Sequence, residues 1–236
     1  MDLKEQDALG DRVADHWYYR SKAKAVSRLL AGTEFSAIMD VGAGSGFFSR
    51  YLLAHSPATE AWCVDTSYER EFDGLEAGKP IHFRRSVDSV DASLVLMMDV
   101  LEHVGDDVGL LRSSAGKVPN GCAFLVSVPA FQFLWSGHDV FLEHRRRYTL
   151  PGLEKVLASA GLTVRHGAYY FGAVFPIAAA SRLLQRALHN NAPARSQLHL
   201  HHRFVNEMLS TLSNAELPLM RHNRLAGLTA FCLAQT

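Results

Sequence analysis

The sequence of 236 residues lacks the features that mark several specialised classes of protein. Its only cysteines, Cys63, Cys122 and Cys232, lie far apart in apolar runs and form no CxxC pair, so neither a disulfide framework nor a cysteine-based metal site is expected. Residues 1–12 are polar and lack the apolar core of a signal peptide. No apolar run is long enough to cross a bilayer. We therefore expect reduced thiols and a cytoplasmic location.

The chain also lacks an excess of either charge. It contains 24 Lys and Arg residues and 24 Asp and Glu residues, so the formal net charge is zero at pH 7. Proteins that bind nucleic acid usually carry a basic excess, and its absence favours a small-molecule partner. No internal repeat is visible, and the length fits one domain. The hydrophobic content of 48% is ordinary for a globular enzyme.

Segments with the patterns of strands and helices alternate through most of the chain. The patterns predict strands at 37–41, 61–64, 81–84, 93–98, 122–128, 162–168 and 225–234, and helices at 13–30, 47–54, 106–117 and 150–160. Alternation of this kind is typical of a doubly wound α/β sheet with helices on both faces.

The motif DVGAGSG at 40–46 lies between the first predicted strand and the helix that follows it. Glycine has no Cβ and tolerates positive φ, so its backbone can approach a ligand closely. The unpaired N–H groups at the start of the next helix favour a polar or anionic ligand. The motif therefore predicts a nucleotide-like cofactor at the end of the first strand, where doubly wound sheets bind ligands.

Carboxylates end two of the other predicted strands. Asp65 ends the second strand, and a carboxylate at that point can accept hydrogen bonds from both hydroxyls of a ribose. Asp99 opens the motif DVLEHV at 99–104, after the fourth strand, where it faces the cleft and suits an ammonium or sulfonium group.

The loop at 130–149, after the fifth predicted strand, is rich in titratable side chains. His138 precedes Asp139 directly; an imidazole that titrates near neutral pH suits proton removal, and a neighbouring carboxylate can orient it. We therefore predict His138, aided by Asp139, as a general base, with His144 as the second candidate. The arginines at 145–147 are equally compatible with a solvated face held by salt bridges.

Taken together, DVGAGSG at 40–46, VDTS at 64–67, DVLEHV at 99–104 and the stretch from SVPA to HRRRYT at 127–149 resemble the class I S-adenosylmethionine-dependent methyltransferases. The closer similarity is to the bacterial small-molecule group that includes the ubiquinone-biosynthesis O-methyltransferases. The resemblance covers about residues 13–168 and the last strand. It implies a seven-stranded Rossmann-like sheet with six parallel strands, in which the last strand lies antiparallel beside the fifth.

The resemblance implies a single methyltransferase domain over 1–236. Within it, the aromatic segment HWYYR belongs to an N-terminal helical flap at 1–32 that closes over the cofactor, although a helix that packs its rings on the core would have the same pattern. We interpret residues 170–222, between the last two strands, as a helical cap insertion. Its apolar part at 168–188 fits an apolar or lipid-like acceptor, a membrane-surface helix or plain core packing.

The resemblance also assigns residues to the ligands. This chain has Ser-Val at 86–87, where the family often has Asp-Ala beside the adenine. The residues assigned to S-adenosyl-L-methionine are Tyr19, Arg20, Asp40, Gly42, Ala43, Gly44, Gly46, Asp65, Thr66, Ser86, Val87, Asp99, Val100 and His103. The residues assigned to the acceptor are Trp135, Arg147 and Tyr148. No metal is expected, because His199, His201 and His202 have no acidic or cysteine partners at ligand spacing.

These features favour transfer of a methyl group to a hydroxyl of a small molecule, with S-adenosyl-L-homocysteine as the second product. Methylation of nitrogen or carbon and other chemistry on the same cofactor remain alternatives. An NAD-dependent oxidoreductase would share the glycine turn and Asp65. It is disfavoured because this chain has GxGxG in place of GxGxxG, and because an oxidoreductase would not account for the DVLEHV segment. A non-catalytic binding protein is the last alternative.

Overall fold

The computed structural model describes residues 15–187 and 203–236. Its centre is one eight-stranded sheet with the order β3-β4-β2-β1-β5-β6-β8-β7. The strands are β1 (Ala37–Val41), β2 (Glu60–Val64), β3 (Phe72–Glu76), β4 (Lys79–Arg84), β5 (Leu94–Met98), β6 (Ala123–Pro129), β7 (Thr163–Tyr170) and β8 (Thr229–Gln235).

Helices cover both faces of the sheet. Within the described residues they are α1 (Trp17–Leu30), α2 (Phe47–His55), α3 (Asp107–Ala115), α4 (Gly137–Phe141), α5 (Leu150–Ser159), α6 (Phe175–Ala187) and α7 (Arg203–Met220). Successive residues of the central strands point to opposite sides: Ile38 and Leu94 join one buried cluster with α1 and α2, whereas Met39 and Val95 join the other with α5. Burial on both faces explains why these strands have continuous apolar sequences.

The predicted α/β Rossmann-like architecture is confirmed, but the predicted strand count is wrong. The sheet has eight strands rather than seven; β1, β2, β4, β5, β6 and β7 run in one direction, and β3 and β8 run against them. The last strand does lie antiparallel beside β6, as expected.

The additional strand, β3, is an edge strand that forms a hairpin with β4. Its sequence, FDGLE, contains two acids and a glycine, and its residues are exposed or half-buried. It therefore lacks the apolar alternation by which a strand is recognised. The connecting residues Ala77 and Gly78 have φ values of 50° and 76°, which is the left-handed pair that a tight two-residue hairpin turn requires.

Helix α1 begins later than the predicted residue 13, because the His16 side chain accepts a hydrogen bond from the Tyr18 amide and caps the helix. Its first turn is joined to α7. The Trp17 amide donates to Asn206 Oδ1 at 2.9 Å, and Arg20 forms a 3.0 Å ion pair with Glu207. The N-terminal helix and the second helix of the 170–222 segment thus form one packed unit.

The segment at 170–222 contains α6 and α7. Residues 188–202, with the loop expected at 190–196 and with His199, His201 and His202, lie outside the described residues. Ile177, Leu183 and Leu184 of α6 are exposed. Over the ranges that the structure describes, no helix has both the length and the apolar character needed to cross a membrane.

Candidate active site

The turn between β1 and α2 uses glycine where other residues would be strained. Gly42, Gly44 and Gly46 have φ values of 68°, 54° and 72°. A Cβ added to Gly42 would lie 2.7 Å from Cγ2 of Val100, so the turn packs directly against the segment that follows β5. The Gly42 amide donates to the Val64 carbonyl at 2.8 Å, and Ala43 is buried. These contacts bring the ends of β1, β2 and β5 together.

Asp40 lies beneath this turn rather than at its surface. The side chain is buried, and its Oδ2 accepts a 2.7 Å hydrogen bond from Ser49 Oγ of α2. Burial raises the pKa of Asp40 to about 6, and the nearby Asp65 carboxylate adds to the rise. Asp40 therefore positions the glycine turn by linking β1 to α2.

Asp65, at the end of β2, is bound to the same turn. Its Oδ2 accepts a 3.0 Å hydrogen bond from the Gly44 amide, and its Oδ1 accepts one of 3.0 Å from the Ser67 amide. The Tyr68 hydroxyl donates to the Gly44 carbonyl at 2.6 Å. Thr66 follows Asp65 and is exposed. Two motifs that lie far apart in the sequence therefore share one hydrogen-bonded corner.

The loop after β4 carries the other pair assigned to the adenine. Ser86 is exposed, and Val87 is half-buried against the cluster that contains Met39. Neither side chain is acidic, so an acidic contact to the adenine from this loop would have to come from the neighbouring Asp88, which is exposed.

A buried ion pair lies at the end of β5. Lys22 of α1 is fully buried; its ammonium group contacts Asp99 Oδ2 and lies 3.3 Å from the Tyr18 hydroxyl. Burial alone lowers the pKa of Lys22, but Asp99 and Tyr18 outweigh it and raise the pKa above its usual value. Burial likewise raises the pKa of Asp99, yet Lys22 holds it below its usual range. Both groups are therefore charged.

Sequence reasoning assigned Tyr19 and Arg20 to the cofactor and missed Lys22. Tyr19 is buried against Phe47, with ring centroids 5.6 Å apart, and Arg20 is paired with Glu207. The signal for Lys22 was its position on the apolar face of α1, three residues after Tyr19 and four before the buried Val26.

A cavity of about 270 Å³ lies at the carboxyl ends of β5 and β6, next to this ion pair. Its size is near the lower end of the range for small-molecule sites. The polar and aromatic side chains that line it include Trp17, Tyr18, Asp99, Glu102, His103, His138, His144, Arg147 and Arg182, the last from α6. The cavity therefore gathers residues from α1, the β5 and β6 loops and the 170–222 segment.

The buried Asp139 carboxylate organises one wall of the cavity. It accepts hydrogen bonds from His144 Nδ1 at 2.9 Å, from Arg147 Nε at 2.6 Å and from the Ser136 amide at 2.8 Å. Burial alone raises the pKa of Asp139, but the bonds from His144 and Arg147 hold it well below its usual range. A permanently charged carboxylate thus fixes one histidine and one arginine in the wall.

Sequence reasoning paired Asp139 with His138, and the structure shows how Asp139 contacts two further residues of the loop. Asp139 is the third residue of α4 and forms a capping box with Ser136, so its carboxylate points back toward the helix start. From there it reaches His144 and Arg147. His138 lines the same cavity.

The three residues assigned to the acceptor are placed differently. Arg147 lines the cavity, and Trp135 is half-buried at the end of the short helical turn Gln132–Leu134. Tyr148 is buried, and its hydroxyl donates to Asp107 Oδ2 at 2.8 Å, in the core. Tyr148 pairs with Ala130 in an extended bridge. Since adjacent extended residues point to opposite sides, Arg147 faces the cavity and Tyr148 faces away from it.

Glu102, which sequence reasoning did not select, is the least satisfied acid of this region. It lies in the helical turn Leu101–His103 after β5 and is completely buried. Within the described residues, neither of its carboxylate oxygens has a hydrogen-bond partner. Burial raises the pKa of Glu102 well above its usual range, and the Asp99 carboxylate adds to the rise.

Comparisons with known proteins agree with this architecture. A family model described as a methyltransferase domain matches residues 14–166. A search of curated protein sequences finds no match.

Three solved structures illustrate the similarity of fold. The methyltransferase in complex with the Haloferax volcanii Trm112 methyltransferase activator has a TM-score of 0.57 and 15% identity, over 100% of this chain and 98% of that chain. The plantazolicin methyltransferase BpumL, solved with S-adenosylhomocysteine, has a TM-score of 0.56 and 13% identity. The match covers 99% of this chain and 89% of that chain. Human N-acetylserotonin methyltransferase, solved with S-adenosylmethionine, has a TM-score of 0.54 and 14% identity. The match covers 99% of this chain and 55% of that chain.

Identities this low show a shared fold and nothing finer. The family model, in contrast, covers more than half of the chain, and its range includes the glycine turn, Asp65, Asp99 and the loop of Asp139. The chain therefore belongs to the methyltransferase-domain family.

Proposed function

We propose that this protein is an S-adenosylmethionine-dependent methyltransferase that acts on a small-molecule acceptor, with a hydroxyl as the favoured methyl-accepting group. The observation that carries the proposal is that the glycine turn, Asp65 and the Lys22–Asp99 pair come together beside a cavity lined by three histidines. A similarity to the ubiquinone-biosynthesis O-methyltransferases is the finer form of this proposal.

The charges of the site suit the cofactor. The amino-acid end of S-adenosylmethionine carries an ammonium group, and Asp99, which lines the cavity, offers it a carboxylate of opposite charge. In this proposal Asp65, which is bound to the turn, accepts hydrogen bonds from the ribose hydroxyls, and Thr66 and Val87 lie beside the adenine. The bound group would supply an electrophilic methyl on a sulfonium centre.

The protein's own part is to orient the acceptor, exclude water and take up a proton. In-line placement of the two reacting atoms accounts for most of the rate in reactions of this kind. We assign proton removal to His138 or His144, two of the three histidines in the cavity wall. His138 is the residue first expected, and His144 has the advantage of a carboxylate, Asp139, that orients its ring.

The proposal is tested by measuring cofactor binding and methyl transfer. We expect calorimetric titration with S-adenosylhomocysteine to show one site per chain, and the labelled methyl group of S-adenosylmethionine to appear on hydroxyl-bearing acceptors from a panel of small molecules. Asp65→Ala should weaken binding at least about tenfold, since charge-assisted hydrogen bonds are lost. Asp73→Ala, which removes an exposed carboxylate from β3, is the matched control. A folded protein that binds neither form of the cofactor would contradict the proposal.

The base is identified by a second comparison. Replacing the base should lower turnover by about 10²–10⁴ without weakening cofactor binding. His138→Gln and His144→Gln are therefore measured side by side over a range of pH. If neither variant loses more than about tenfold, proton removal by His138 or His144 is excluded.

A further inference from the structure

We propose that Glu102, His103 and His144 bind a divalent transition-metal ion at the inner end of the cavity. Each residue offers one ligand atom, and these three atoms all lie within 4.8 Å of one another. All three side chains line the same cavity, next to Asp99. The site itself does not depend on methyl transfer, but its use in holding an acceptor oxygen rests on the proposed function.

The charge of Glu102 is the first reason for this assignment. Three carboxylates are gathered around the cavity, and two of them have cationic partners: Lys22 for Asp99 and Arg147 for Asp139. Glu102 is completely buried, and over the described ranges its two oxygens accept no hydrogen bond. A buried carboxylate without a partner is costly, and pairing with a metal ion is one of the usual ways in which that cost is met.

The surroundings of His144 are the second reason. Its Nδ1 is bound to the Asp139 carboxylate at 2.9 Å, which directs the other ring nitrogen away from Asp139. Histidines that ligate metals almost always carry such a carboxylate or carbonyl on the second nitrogen, because it fixes the ring and raises its basicity. Asp139 is in turn held by Arg147 and the Ser136 amide. The arrangement is that of a supported metal ligand.

The ligand set indicates the kind of ion. Two imidazoles and one carboxylate suit first-row ions such as Fe²⁺, Co²⁺ and Zn²⁺, whereas Mg²⁺ and Ca²⁺ prefer oxygen ligands. Ligands of one tetrahedral ion, each at about 2.1 Å, are about 3.4 Å apart. The three ligand atoms lie within 4.8 Å of one another, so they would have to move closer together to bind one ion. The remaining coordination positions would face the cavity, where an acceptor hydroxyl could bind and lose its proton more readily.

The metal site also gives His138 and His144 different roles. If His144 ligates the ion through Nε2, it cannot take up the acceptor's proton, and that role falls to His138. The metal site and the Asp139–His144 base are thus exclusive alternatives for the same ring.

The test uses the full chain with His199, His201 and His202 changed to Asn, which removes the histidine-rich segment as an adventitious site. The protein is stripped with EDTA and titrated with Co²⁺, followed by absorption spectroscopy and equilibrium dialysis. We expect about one ion per chain, with the visible bands of a four- or five-coordinate site, and displacement by Zn²⁺.

Glu102→Gln and His144→Asn should each weaken Co²⁺ binding at least about tenfold, the lower end of the effect expected for a lost ligand. His138→Asn, which alters the same cavity outside the cluster, should leave it unchanged. Circular dichroism and titration with S-adenosylhomocysteine show whether each variant is folded. Absence of Co²⁺ binding, or equal loss in the His138 variant, would overturn the site.

The two proposals fail differently. A stripped protein that binds S-adenosylhomocysteine but no Co²⁺ removes the metal site and leaves the methyltransferase. A protein that binds Co²⁺ through Glu102 and His144 but no cofactor keeps the metal site and removes the proposed function.

Discussion

At the scale of single residues, the site depends on groups buried where isolated charges are unfavourable. The pair formed by Lys22 and Asp99 is the clearest case, since Lys22 is fully buried and surrounded by the rings of Tyr18, Phe48 and Phe231. The ion pair costs desolvation when it forms, but removing one partner leaves the other charge without compensation.

Lys22→Met should therefore lower the free energy of unfolding by about 3 kcal/mol, measured by urea denaturation. Arg20→Met is the matched control on the same helix: its ion pair with Glu207 is largely exposed, so its loss should cost less than about 1 kcal/mol. The double variant Lys22→Met, Asp99→Asn should recover part of the loss. Equal effects of the Lys22 and Arg20 variants would contradict this account.

Asp40 gives a prediction of pH dependence. Its pKa in the folded protein is about 6, above that of an unfolded chain, because its carboxylate is buried. Above pH 6 both states are ionised and the full burial cost is present; as the pH falls through 6 the folded state takes up a proton first, and this cost is relieved. Asp40→Asn should therefore be more stable than the parent at pH 7.5, by up to about 3 kcal/mol.

The advantage of Asp40→Asn should shrink steadily between pH 6 and about pH 4. Urea unfolding of both proteins at several pH values measures this difference. A constant difference over the whole range would show that Asp40 does not titrate in this window.

Gly42 tests how closely the turn is packed. Gly42→Ala adds a methyl group 2.7 Å from Val100 at a φ of +68°. We expect a loss of about 1–3 kcal/mol of stability, together with weaker cofactor binding. Gly78→Ala has a similar φ of +76° but open space around it, so it measures the conformational cost alone. If the clash with Val100 causes most of the loss of stability, adding Val100→Ala to the Gly42→Ala variant should restore that stability.

At the scale of elements, the arrangement of α1 against α7 places Trp17 and Tyr18 at the cavity. Asn206 holds this arrangement through two hydrogen bonds, accepting from the Trp17 amide and donating to the Asp15 carbonyl. Asn206→Ala should cost about 1–3 kcal/mol, because it leaves a buried amide unpaired. Amide hydrogen exchange should become faster at the start of α1 and stay unchanged in β5. Asn214→Ala, on the same helix, is the control.

The elements also show what the sequence could predict. Strand β1 was predicted residue for residue, and the cap of α5 by Thr149 is confirmed by its 3.2 Å bond from the Gly152 amide. Both rest on local rules: an apolar run buried on two faces, and a side chain that competes for a free N–H. Strand β3 was missed because an exposed edge strand pairs through its backbone and leaves little mark on its side chains.

Among the site residues, those that belong to local motifs were predicted, and those defined by contacts with distant residues were missed. Asp65 and the glycine turn were selected from motifs, and the structure joins them by a hydrogen bond. Lys22 and Glu102 were missed because their importance comes from burial beside residues distant in the sequence. The contact of Asp139 with His144 was not foreseen, because it depends on the capping box of α4, which directs the carboxylate. Sequence adjacency did not determine spatial adjacency.

At the scale of the whole molecule, the proposed cofactor site joins most of the sheet, because its groups come from α1, β1, β2, β5 and the loop after β6. A ligand that binds only this assembled state stabilises the whole fold by RT ln(1 + [L]/Kd). At one hundred times its Kd, S-adenosylhomocysteine should add about 2.7 kcal/mol to the free energy of unfolding, measured as a rise in the thermal midpoint. NAD at equal concentration should leave the midpoint unchanged. The Asp65→Ala variant should need a higher concentration of S-adenosylhomocysteine for the same rise in the thermal midpoint. Stabilisation by NAD alone would identify a different cofactor and overturn the proposed chemistry.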